Sequence, residues 1–180
     1  MSVYTQVKPL ESYSEYDVVN FYALDAASGN KGEVVQIAGS GFISTQNLGM
    51  QSLYSNGDAY SPRWTVKAKV SFGATGVKPL GLLWKNVRET NAFGYPMMYG
   101  AVRKDEADAV VSGQAVPILR KGYVLYKMEE SGWNYAGSGV APSVGGKVLA
   151  PTHIGDAASI GTILGAADKD GYALLSINAY

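Results

Sequence analysis

No cysteine occurs in this chain, which excludes a disulfide scaffold, a thiolate nucleophile and a thiolate zinc site together. Histidine, which catalytic triads and metal centres usually need, occurs once, at His153. Charge is scarce as well: Asp, Glu, Lys and Arg make up 17% of residues, against about 25% in an ordinary globular domain. Lys plus Arg and Asp plus Glu number 15 each, for a formal net charge of zero. Such a balance supplies no long-range field to draw in nucleic acid or an anionic membrane, so neither is an expected partner. No run reaches the ~18 apolar residues of a membrane span. The first ten residues, MSVYTQVKPL, lack the basic segment and apolar run of a secretory signal, and synthesis and folding in the cytoplasm are the expectation.

Present instead are 47% hydrophobic residues, 22 glycines and 13 tyrosines in 180 residues. A chain of this length buries about 70% of its unfolded surface and needs no metal or disulfide to hold a core, and either one domain or two small ones fit. With few charges, the surface must be covered largely by Gly, Ser, Thr, Asn and Tyr, which suits packing against other subunits. Residues 1–17 carry Tyr4, Pro9, Tyr13 and Tyr16 but few aliphatic residues and read as an extended arm, or else as a partly disordered terminus, a terminus being ordered only where something ties it down. From Val18 onward, short strands separated by turn signals predict an all-β fold, a barrel, β-tulip-like unit or sandwich. The clearest strand is 63–72, where Trp64, Val66, Ala68, Val70 and Phe72 alternate with polar residues. Further strands are expected at 18–24, 32–38, 79–84, 115–120, 122–128, 160–166 and 172–178. Asn56-Gly57 and Asp170-Gly171 tolerate the positive φ of hairpin turns. Helix is confined to one or two turns at 46–53 and 104–111.

An internal repeat is a further expectation. Residues 32–43 (GEVVQIAGSGFI) and 113–124 (GQAVPILRKGYV) share Gly32/Gly113, Val35/Val116, Ile37/Ile118 and Gly41/Gly122. Leu80-Gly81-Leu82-Leu83 then matches Ile160-Gly161-Thr162-Ile163, and residues 94–98 match 171–175, in the same order and at nearly constant spacing. Chance matching of Gly-rich strands gives the same pattern at lower interest. A tandem duplication predicts an arm at 1–17, a first β unit at 18–100 and a second at 101–180, with equivalent strand pairing in the two.

Reactive constellations are weak. A lone His153 in a loop reads as an ordinary surface or hydrogen-bonded residue. Gly39-Ser40-Gly41 and Gly137-Ser138-Gly139 lack the outer glycines of a nucleophile elbow and read as turns. Gly145-Gly146-Lys147 is followed by Val148 where a P-loop needs Ser or Thr. Asp105, Glu106 and Asp108 read as a solvated helix start. Asp168-Lys169-Asp170-Gly171 resembles the opening of a calcium loop, but its glycine arrives too early and no Glu closes it, so a hairpin turn explains it better. A paired-carboxylate enzyme would need two such groups brought together by the fold. Trp64 and Trp84 read as structural, whereas Trp133 lies in a polar stretch and is expected at a surface. No catalytic, cofactor-binding or metal-binding residue is assigned, and no cofactor is expected.

The last third carries a family resemblance. Residues 122–128 (GYVLYKM), the Gly-rich 137–146, 146–151 (GKVLAP), 160–164 (IGTIL) and 171–179 (GYALLSINA) together resemble the small head decoration, or cement, proteins of tailed bacteriophages. The resemblance covers roughly 113–180, with a weaker echo at 32–98; the arm, the segment around Trp133 and a polar stretch at 86–92 depart from it. It implies a β-barrel or β-tulip protein, usually a homotrimer, that binds the major capsid protein outside the virion lattice and locks adjacent coat subunits together. A carbohydrate-binding or other adhesion module, with Trp133 on an exposed platform, is the alternative, and an enzyme a third.

Overall fold

The structure is a computed structural model that describes residues 7–10, 17–42, 68–74, 76–90, 109–127, 136–143, 146, 148–153 and 156–179. These residues form strands and no helix: β1 (Val7–Pro9), β2 (Val18–Leu24), β3 (Val34–Phe42), β4 (Ala68–Phe72), β5 (Gly81–Leu83), β6 (Asn86–Arg88), β7 (Ala109–Val111), β8 (Ala115–Leu119), β9 (Lys121–Lys127), β10 (Gly139–Ser143), β11 (Val148–Thr152), β12 (Gly161–Gly165) and β13 (Tyr172–Asn178). The all-β expectation holds.

Five strands close a barrel in the order β2-β4-β3-β5-β8, with β8 returning to β2. The β2–β4 pair is parallel and the other four are antiparallel. Six strands, in the order β1-β9-β13-β12-β10-β11, make an antiparallel sheet, and β6 pairs with β7 in parallel.

Alternation along the barrel strands explains how the layers meet. Val35, Val70, Leu83, Val116 and Ile118, with Leu24, form one cluster to which all five barrel strands contribute, so it fills the barrel. Their neighbours Val34, Leu82 and Leu119 point the other way and join Val124, Tyr126, Val140, Leu149, Ile163, Leu175 and Ile177 of the sheet in a second cluster. Barrel strands covered on both faces read as continuous apolar runs, as in Gly81-Leu82-Leu83, where all three residues are buried. A polar tie crosses the same seam: the Tyr126 hydroxyl donates to the Gly32 carbonyl at 3.1 Å in a buried setting. Tyr126→Phe removes this donor and leaves a buried acceptor, so a loss of about 1–2 kcal/mol is expected in urea titration; an unchanged midpoint would show that the bond contributes nothing net.

Strand pairing crosses both boundaries expected from the repeat. The barrel takes β8 from beyond residue 100, and the six-stranded sheet takes β1 from the arm, with Val7 fully buried against the core. Residues 7–9 thus pair with β9 of their own chain; the rest of the arm lies outside the described residues, apart from Leu10 and Asp17. The duplicated segments are not paired equivalently either. β3 lies beside β5, whereas its counterpart is split between β8 in the barrel and β9 in the sheet, and neither adjoins β12. The two halves are therefore not copies of one strand arrangement.

Two further expectations are corrected. Of the helix expected at 104–111, residues 109–111 form β7, because Val110 pairs in register with Val87 and packs on the barrel cluster; the β-branched pair Val110-Val111 suits a strand better than a helix end. Gly39-Ser40-Gly41 is no turn but lies inside β3, where the register with β4 shifts between Ile37 and Phe42 and small residues accommodate the irregularity. The helix expected at 46–53 and the turn at Asn56-Gly57 fall outside the described residues, as does 63–67 of the clearest strand.

Candidate binding surfaces

One face of the six-stranded sheet is pressed on the barrel, and the opposite face carries partly exposed side chains. Cross-strand register fixes its rows. Leu125 lies opposite Lys8 on one side and Leu174 on the other, and Tyr123 lies opposite Ser176, itself opposite Thr162. The register between β12 and β13 shifts between Ile163 and Gly165, so that Leu164 is the extra residue beside Leu174. Tyr123 is 50% exposed and Leu164 47%, with Leu125 and Leu174 half-buried between them and Leu10, 50% exposed, directly beyond β1. These are three of the five exposed large apolar residues among the described ones; the other two, Ile37 and Val77, belong to the barrel strands and their connections.

The six strands carry Lys8, Lys121 and Lys127 and not one Asp or Glu. Lys8 Nζ sits 3.8 Å from the centre of the Tyr172 ring and Lys127 Nζ 5.9 Å from it, so two cations flank the apolar row at one end, and Lys121 marks the other end of β9. Asp168, in the turn described below, sets a carboxylate at that margin that interacts with the charge of Lys8.

The edges of the sheet are closed to further strands. Ala179 N–H donates to Arg120 O, so by alternation Val124 and Tyr126 turn their main-chain groups toward β13 and Leu125 turns its own toward β1. Lys8, opposite Leu125, faces inward, which leaves Val7 and Pro9 facing out. At the other edge, Ile160 N–H donates to Val140 O, so Ala150 and Thr152 face β10, and Leu149 and Pro151 face out. Each open strand therefore places a proline where an outward N–H would stand, which blunts pairing with another chain.

The residues singled out by motif have ordinary structural duties where they are described. Asp168 builds the β12–β13 hairpin turn: its Oδ1 accepts from the Asp170 and Tyr172 amides, Gly171 N–H donates to its carbonyl, and Gly171 takes φ of 84°. It is the turn expected. The Tyr172 amide chiefly, then the Asp170 amide and the charge of Lys8, hold the Asp168 carboxyl below its ordinary range. Asp156 is lowered likewise, by the Ala158 amide and then by the Thr152 hydroxyl at 2.8 Å, with a smaller effect from His153. His153 itself is exposed on the loop after β11. Because both carboxyls are depressed by folding, their contribution is complete above the ordinary aspartate value of 3.8 and fades as pH falls through the lower folded values. The variant carrying Asp156→Asn and Asp168→Asn should thus be less stable than the parent above about pH 4 and converge with it below; parallel curves down to about pH 2 would contradict this. Asp105, Glu106, Asp108, Trp64 and Trp133 lie outside the described residues. Gly137 takes φ of 90° in a turn before β10, as expected of Gly137-Ser138-Gly139, and Gly146 takes φ of 75° with its carbonyl accepting from Val34 N–H.

One buried charged residue was not anticipated. Glu33 is only 3% exposed, its carboxylate accepting from the Asn30 amide at 2.7 Å and from Asn30 Nδ2 at 2.9 Å. Arg88 Nη2 donates to Asn30 Oδ1 at 2.7 Å and Arg88 Nη1 to the Gly29 carbonyl, while Lys31 N–H donates to Asn86 Oδ1 at 2.9 Å. The network pins the β2–β3 turn to β6. Beside it, half-buried Trp84 packs on the core and carries Lys31 Nζ 4.7 Å from its ring centre, so its face is covered, in keeping with a structural role. The four apolar residues of the sheet's outer face were missed at the sequence level, although residues 122–128 carry a signal: Tyr123 and Leu125 as well as Val124 and Tyr126 are apolar, so the strand has no wholly polar face.

No protein-family model matches the chain, and no curated protein matches it.

Proposed function

We propose that this chain is a structural protein of a tailed-phage virion, a decoration protein that binds between coat subunits on the outside of the head and stabilises them. Its partner is the major capsid protein, it assembles as a homo-oligomer, a trimer on the family pattern, and it needs no cofactor. The observation that carries the reading is where the resembling segments go. Residues 122–128, 137–146, 146–151, 160–164 and 171–179 fall on β9, β10, β11, β12 and β13, which are contiguous neighbours in one sheet. A resemblance scattered over unrelated elements would carry little; this one maps onto a single structural unit. A neutral net charge and a sheet whose outer face carries partly exposed apolar residues suit a part that acts through buried area, where many symmetric copies add avidity without strengthening any one contact. Quantitative mass spectrometry of purified particles tests the reading. The chain should copurify with virions at a copy number that fits the symmetry of the head, and its absence from particles would end the proposal.

A further inference from the structure

We infer that β1 is an exchangeable strand: in the homo-oligomer, Val7–Pro9 of one copy seats on β9 of the neighbouring copy, in the register it takes on its own chain. The inference deepens the homo-oligomer part of the reading above by naming the element through which copies hold one another.

Little holds β1 in place, and what holds it is specific. It pairs with β9 alone, over three residues, and only Lys8, opposite Leu125, turns its main chain inward. Opening so short an edge strand needs far less than global unfolding. Val7, however, is fully buried in the cluster with Val124, Tyr126 and Leu175, and Lys8 Nζ lies 3.8 Å from the centre of the Tyr172 ring. A bare seat would expose core, and the segment that fits it by construction is β1 of another copy.

The contacts of β1 are the same on either copy and cancel, so reach and the new area buried where two arms cross decide between the arrangements. Reach suffices. The link from Pro9 to Val18 extends to about 30 Å, whereas Val124 and Leu119, which lie beside its two ends, are at most about 18 Å apart along their own chain. New area is available at the exit: the chain bends at Leu10, which is 50% exposed, as is Tyr123, the neighbour of Val124 on β9. Arms crossing at this bend bring apolar side chains of two copies together and take them from water. Pro9, facing outward, then keeps the seated strand from adding another, so the exchange closes on itself and does not grow into a fibre.

The test uses the full chain, in which an introduced pair supplies the only thiols. Lys8→Cys with Leu125→Cys places them across a hydrogen-bonded ladder pair, with Cα atoms about 5.5 Å apart, a separation that a disulfide spans. One preparation carries a heavy-nitrogen label and the other none; equal amounts are unfolded, refolded together, oxidised and digested. In the oligomer, about half of the peptides linked through positions 8 and 125 should join a labelled to an unlabelled chain. Uniform label in every linked peptide, or a chain that sediments as a monomer at all concentrations, would overturn the exchange. Leu10→Glu gives a second readout without thiols: the dissociation constant of the oligomer should rise about tenfold, while the melting of the monomer stays unchanged because Leu10 is already exposed there. An unchanged dissociation constant would also overturn it. Neither readout depends on virions. Uniform label in a chain that copurifies with particles ends the exchange and leaves the decoration reading; mixed label in a chain absent from particles does the reverse.

Discussion

Leu82→Ala should lower the free energy of unfolding by about 3 kcal/mol and leave a single cooperative transition, within the 2–5 kcal/mol range of buried leucine truncations. Leu82 is fully buried, and its cluster contains Val34 and Leu119 from the barrel together with Tyr126, Leu175 and Ile177 from the sheet. The cavity left by truncation lies on the seam and removes contacts from both layers at once. Far-ultraviolet circular dichroism and tyrosine fluorescence, followed through a urea titration, should therefore shift together. Separation of the two curves, or a loss below about 1 kcal/mol, would mean that barrel and sheet do not share a core.

A second large effect is expected at Gly161, through the backbone. A Cβ at this position would overlap the carbonyl oxygen of Ser176 on β13, and main chain held in a ladder cannot rotate aside as a side chain does. Gly161→Ala should cost at least about 3 kcal/mol, at the upper end for overpacking, because strands must separate to admit the methyl group. Gly113→Ala provides the contrast: Gly113 takes φ of 84° with open space around it, so only the left-handed backbone is penalised, at about 1–2 kcal/mol. Chemical denaturation of the two variants ranks them, and a milder Gly161→Ala than Gly113→Ala would contradict the packing of β12 against β13.

Several elements were readable from residues alone for identifiable reasons. β2, β8, β9 and β13 match the expected strands to within about one or two residues, because β-branched and aromatic runs are bounded there by glycine or charge. β10 and β11 went unforeseen: Gly139–Ser143 (GVAPS) and Val148–Thr152 (VLAPT) each contain a proline, a residue that argues against a strand until its unbonded N–H position is known. β7 was mistaken for helix because acidic residues preceding an Ala-Val-Val run imitate a helix start, and only the distant partner Val87 decides otherwise. The repeat failed for a similar reason. Identical glycine and valine positions specify a strand and its turn, but which neighbour that strand adopts depends on residues far along the chain. The outer face of the sheet was hidden because apolar residues on both sides of β9 announce two coverings, and only the fold says which side the barrel supplies.

Closure of the barrel has a consequence for how the protein is made. Val19 of β2 pairs with Ile118 of β8, and Val7 of β1 with Tyr126 of β9, so β1 and β2 leave the ribosome well before the strands they pair with. Until then β2 and β5 expose bare ladders, and such non-local pairing folds slowly, on the scale of milliseconds to seconds. A nascent chain stalled ahead of residue 115 is thus the form in greatest need of a chaperone, since the two ladders that β8 will seal are still open to a stranger.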